Sequence, residues 1–141
     1  MPAPSYPEEL ARLITVLDWA VEIQPEADRI VRLCAAEPYD VPVRLAREAT
    51  RLAYRFVRMA GQLEEPVGIP ELDEYRTRAL GLVRYHVYML HDALDLAFNS
   101  TLRHRRTDPR AASHGLDRPG ADLRTLCLEV RAAQHRYAHP G

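Results

Sequence analysis

Lysine is absent from this chain of 141 residues, although it holds 19 basic residues, all of them arginine. That excludes a Schiff-base lysine, a lysine general base and a Walker-type phosphate loop. Such usage is that of a GC-rich bacterial coding sequence. Cysteine is scarce: Cys34 and Cys127 stand alone among apolar neighbours, with no C-x-x-C pair, and read as buried structural thiols. A zinc site would need partners at ligand spacing, and none are present, so no metal or other cofactor is expected. Aromatics make up only 7%. Apolar runs approaching 18 residues are missing, and Met1-Pro2-Ala3-Pro4 has neither the charged nor the apolar region of a secretion signal. A cytoplasmic location is the expectation. Strand-like alternation, internal repeats and glycine-rich phosphate loops are also missing.

What is present is helical periodicity almost throughout. Ser5-Tyr6-Pro7-Glu8 forms a capping-box pattern, followed by Leu10, Leu13, Ile14, Leu17 and Val21 at helical spacing. Pro25 predicts an end to that helix near Gln24 and the opening of a short second one, which Pro38 closes. Asp40 is the expected cap of a third helix reaching about Gln62. The segment Leu63 to Ile69, with Pro66 and Gly68, reads as a turn. A fourth helix, Pro70 to about Asn99, is expected to be the longest, roughly 45 Å at 1.5 Å per residue. Residues 100–118 read as a loop, and a last helix runs from Pro119 to Tyr137. The fold class predicted is all-α: one domain over 1–141, an antiparallel bundle of four main helices plus one short helix, with the long fourth helix as its spine.

The near-neutral total charge is split. Residues 1–99 carry 11 arginines and 16 acids, whereas residues 100–141 carry 8 arginines and 4 acids. Arg103, Arg105 and Arg106, with His104 between them, are the densest basic cluster, in the predicted loop. Within the third helix, Arg44, Arg47, Arg51, Arg55 and Arg58 fall in a stripe about 80° wide at 100° per residue. Leu45, Ala49, Leu52, Phe56 and Ala60 centre on the opposite side. Five cations on one face repel each other unless anions neutralise them. Glu48 is the only acid at the stripe's edge, so counter-charge must come from elsewhere: from Glu8, Glu9, Asp73 or Glu74 on neighbouring helices, from solvent, or from a ligand. In the last case the arginine forks form a track for a nucleic-acid backbone or an acidic protein, with Tyr54 placed to stack on a base.

The fourth helix carries a seam of Leu72, Tyr75, Ala79, Leu82, His86, Leu90, Ala93 and Ala97, in which His86 reads as a buried core histidine. On the other side Arg84, Tyr88, His91 and Asp95 lie within about 60°, in line with Thr77 and Gly81. Gly81 is costly inside a helix unless another backbone approaches closely. A histidine that moves a proton near neutral pH, an arginine that stabilises phosphate charge, and an aspartate one turn on that orients the imidazole make an acid–base set. The plainer reading is a solvated face with His91 and Asp95 paired at i, i+4.

The run Arg84-Tyr85-His86-Val87-Tyr88-Met89-Leu90-His91 resembles the R-x(4–6)-H motif of HEPN ribonuclease domains. The resemblance covers these eight residues. It implies a metal-independent RNA-cleaving site with Arg84 and His91 as the catalytic pair, and a homodimer through this helix. Tyr85 stands where that family usually has a polar residue, and His91-Asp92-Ala93 replaces its frequent His-x-Tyr ending. HD phosphohydrolase chemistry is excluded because residues 1–85 hold no histidine, and ferritin-like sites because no Glu-x-x-His occurs. Two functions follow as expectations: a small regulatory protein that binds an anionic partner through its arginines, and a HEPN-like ribonuclease.

Overall fold

A computed structural model of the chain describes residues 5–36, 40–98 and 115–139. They form four helices that pack against one another: α1 (Tyr6–Ala36), α2 (Val43–Leu63), α3 (Pro70–Phe98) and α4 (Asp117–Ala138). No strand occurs among the described residues. Helices α1 and α3 each touch all three others, while α2 and α4 occupy opposite sides of that pair. The spine role expected of the Pro70 helix is therefore shared with α1.

Helix α1 opens where the capping pattern places it: the Glu8 N–H donates to Ser5 Oγ at 3.4 Å. It does not stop at Pro25. One helix of 31 residues continues through the proline, so the separate short helix is absent and α1, not the Pro70 helix, is the longest. The reason lies in the buried face. Leu13, Leu17, Ala20, Gln24, Ala27, Ile30, Val31 and Cys34 are buried on both sides of the proline, which itself faces solvent. An interior proline costs about 3 kcal/mol. Burying Ile30 and Val31 alone returns about 1.5–3 kcal/mol each, so continuing the helix wins.

Asp40 does not cap α2. The N-cap is Pro42, extended at φ −63° and ψ 144°, with no side-chain cap hydrogen bond. Val41 precedes that proline, and the residue before a proline is driven away from helical dihedrals. The helix thus cannot begin directly after Asp40.

Helix α3 starts with a proline at its first position, where the missing N–H costs nothing. Asp73 Oδ1 accepts from the Val67 N–H at 3.0 Å and from Arg76 Nε at 2.7 Å. Arg76 Nη1 donates to the Leu63 carbonyl at 2.6 Å, which closes the turn between α2 and α3.

Helix α4 begins two residues earlier than the expected Pro119, after Gly115, whose φ of +61° an L side chain rarely adopts. Its start is docked on the middle of α1. The Leu116 N–H donates to Asp28 Oδ1 at 2.6 Å, and the buried Gln24 Nε2 donates to the Leu116 carbonyl at 3.1 Å. Gly120 makes room: a Cβ there would meet the Gln24 amide nitrogen at 2.3 Å.

Candidate anion-binding face

Helix α2 is two-faced. Leu45, Ala49, Leu52, Ala53, Phe56, Met59, Ala60 and Leu63 are buried against the bundle. Arg44, Arg47, Arg51, Arg55 and Arg58 are all exposed on the other side. Over 14 residues that row extends about 21 Å, with neighbouring guanidinium stems about 4.5–6 Å apart along the axis. Tyr54, 63% exposed, borders the row and joins Ala46, Arg47, Thr50 and Arg51 around a shallow open depression.

The charge partners distinguish these arginines from those of α1 and α3. Each arginine of α1 and α3 has a carboxylate within 4 Å: Arg12 with Glu9, Arg29 with Glu26 and Glu48, Arg32 with Asp28 and Asp117, Arg76 with Asp73, Arg78 with Glu129, and Arg84 with Glu64. No arginine of α2 has a carboxylate partner among the described residues. Glu48, the acid at the stripe's edge, is drawn to Arg29 of α1 at 3.3 Å. Of the acids expected from neighbouring helices, Glu9 faces Arg12 and Asp73 holds Arg76. The hydrogen bond from Arg76 keeps the Asp73 carboxyl below the usual carboxylate range. The α2 row is left to solvent or a ligand.

The outward face of α3 carries the second set. Arg84, Tyr88, His91 and Asp95 are all exposed, as the spacing predicts, and share that face. Arg84 Nη2 lies 3.6 Å from Glu64, and the rings of Tyr85 and Tyr88 stand 6.3 Å apart. His91 and Asp95 form no ion pair with each other among the described residues. A Cβ on Gly81 would meet nothing within 4 Å among the described residues, so no packing between them requires that glycine.

His86 is fully buried, as expected of the seam. Its ring stacks on Phe56 at 5.0 Å, and Nδ1 lies 2.8 Å from the Leu82 carbonyl. Nε2 is buried without a hydrogen-bond partner among the described residues. Burial lowers its pKa below the ordinary histidine value; the Leu82 carbonyl and the Asp28 carboxylate oppose that shift. Cys34 and Cys127 are buried free thiols. Burial pushes both up in pKa, and the Cys127 thiol donates to Asp18 Oδ1 at 3.3 Å. Neither has the character of a nucleophile.

Arg103, Arg105 and Arg106 lie outside the described residues. Among the described residues no cluster of three His, Cys, Asp or Glu side chains is arranged to hold a metal ion. None of their helices is long and apolar enough to cross a membrane. Compared with known protein families, curated proteins and solved structures, the chain matches none.

Proposed function

We propose that this protein is a small regulatory or interaction module that binds an anionic partner along the α2 arginine row. The observation that carries this reading is the absence of any described carboxylate partner for Arg44, Arg47, Arg51, Arg55 and Arg58, while every arginine of α1 and α3 has one. Guanidinium forks match phosphate and carboxylate oxygens. A straight row about 21 Å long, with an exposed tyrosine at its edge, fits a single nucleic-acid strand better than a folded acidic surface. An acidic polypeptide is the other partner with this chemistry, and Arg103, Arg105 and Arg106 are the further basic residues proposed to engage it. The protein acts in the cytoplasm. The six-residue connection between α2 and α3 supports an antiparallel order for that pair.

Replacing Arg47, Arg51 and Arg55 together by alanine removes three counterion-releasing contacts. At about 0.1 M salt this is expected to weaken single-strand binding roughly a hundredfold. Unchanged affinity would show that the row is merely solvated. Preference for an acidic peptide over RNA of equal charge would reassign the partner.

A second reading rests on the α3 face, where Arg84, Tyr88 and His91 are exposed together beside Tyr85. There the protein is a metal-independent HEPN-like ribonuclease, dimeric through α3, with Arg84 stabilising phosphate charge and His91 moving the proton while Asp95 and Tyr88 support them. RNA cleavage in EDTA, lost in His91→Ala while the variant remains folded and dimeric, is the expected result of this reading. Cleavage retained by that variant contradicts it.

A further inference from the structure

A cavity of about 630 Å³ opens at the end of the bundle where α2 gives way to α3. Leu13 and Val16 of α1, Leu63, the connection residues Val67 and Ile69, and Leu72 of α3 give it an apolar wall. That volume suits a small organic molecule.

Its polar groups are uneven in what they leave open. Arg76 is spent: its nitrogens donate to Asp73, to the carbonyls of Leu63 and Glu64, and to Thr77. Glu9 is different. Its side chain is only 9% exposed and lines the cavity, yet its carboxylate accepts no hydrogen bond among the described residues. Arg12, which also lines the cavity, is paired with it at 3.6 Å, beyond hydrogen-bond reach, and is 69% exposed, so its side chain is free to swing toward solvent. The Glu9 oxygens stay open toward the cavity with no protein donor among the described residues hydrogen-bonded to them, so a ligand's donor can reach them there. The carbonyl end of α2, at Gly61 to Leu63, adds partial negative charge to the same wall, and Glu65 adds a second carboxylate.

We propose that this cavity binds a small organic cation, an ammonium group on an apolar body. The ammonium donates to the Glu9 carboxylate and the body lies against Leu13, Leu63 and Ile69. The ligand supplies the donors that Glu9 lacks, and the apolar wall selects against hydrophilic amines. This site is independent of the arginine row.

The test is an amide-resolved NMR titration of the full chain with 2-phenylethylammonium and with its neutral isostere 2-phenylethanol. Saturable shifts at Leu13, Gly61, Gly68 and Ile69 are expected, with the ammonium binding at least tenfold tighter. Glu9→Gln should abolish that tenfold preference and leave the alcohol's affinity unchanged. Gly61→Leu provides a steric control that does not depend on Glu9. A Cβ at Gly61 meets nothing within 4 Å, and leucine favours the helix, so this variant should fold and bind neither probe. Equal affinity for the two probes, an unchanged preference in Glu9→Gln, full binding by Gly61→Leu, or no saturable shift up to about 10 mM would each overturn the proposal.

Discussion

His86 and Gly81 lie five positions apart on α3 and meet opposite surroundings. The histidine is enclosed by Phe56 and the helix backbone, with one ring nitrogen satisfied and the other without a partner among the described residues. Because its folded pKa is depressed, the unfolded chain takes up a proton more readily. The stability that goes with neutral His86 is therefore fully present above its ordinary value of 6.5 and is lost as pH falls from there toward the folded pKa. Denaturant unfolding should show wild-type stability declining below pH 6.5 by up to about 1.4 kcal/mol per pH unit. His86→Leu, which also removes the orphaned nitrogen, should flatten that decline without loss of stability at pH 7.5. An undiminished slope in the variant would place the titrating group elsewhere. A Cβ on Gly81, by contrast, would meet nothing within 4 Å among the described residues. Gly81→Ala should stabilise a monomer by about 0.5–1 kcal/mol, since only helix propensity changes. If α3 is instead the dimer face of the ribonuclease reading, the added methyl should weaken association measured by sedimentation, with the gain in stability absent.

At the scale of elements, the proline in α1 shows a local rule outweighed by packing. Pro25 faces solvent while Gln24 and Ala27 on either side of it are buried, so the helix tolerates the lost hydrogen bond to keep one uninterrupted face against α3 and α4. Pro25→Ala should restore that bond and raise stability by up to about 3 kcal/mol, seen as a shift in the denaturation midpoint without a change in its steepness. A destabilised variant would mean that the proline itself makes a needed contact. This is where the sequence alone points the wrong way: the proline is visible in it, but what overrides the proline is the packing of α1's own buried face against α3 and α4, which depends on other helices. Asp40 was misread for a nearer reason, the restriction that Pro42 places on Val41. Other boundaries were legible because their causes are local. Ser5 caps α1, Pro70 opens α3 and the Pro66–Gly68 turn separates α2 from α3, all read directly from residue type.

At the scale of the molecule, opposite charges tie several of the described helices together. Arg131 of α4 pairs with Asp18 of α1 and holds that carboxyl below its usual range. Arg78 of α3 does the same to Glu129 of α4 at 2.7 Å. Such exposed pairs each contribute little to stability; their interest here is the contrast they make with α2. The 100° spacing made the arginine row legible from sequence. Its lack of partners was not, because the loss of Glu48 to Arg29 depends on how α1 lies beside α2. The Glu9 cavity was illegible for the same reason, being assembled from three helices and a connection. An anion-binding module of this kind owes its affinity to counterion release, and that leaves a signature in salt rather than in affinity alone.

The most direct measurement is therefore the salt dependence of binding to a fluorescent oligouridylate, for the wild type and for the Arg47→Ala, Arg51→Ala, Arg55→Ala triple variant. The expected result is a steep fall of log Kobs with log salt for the wild type, reduced in magnitude by about 2 in the variant, or about 0.7 for each lost phosphate contact. Identical slopes, or no binding of the oligonucleotide by the wild type at low salt, would contradict an α2 arginine row that binds a nucleic-acid strand.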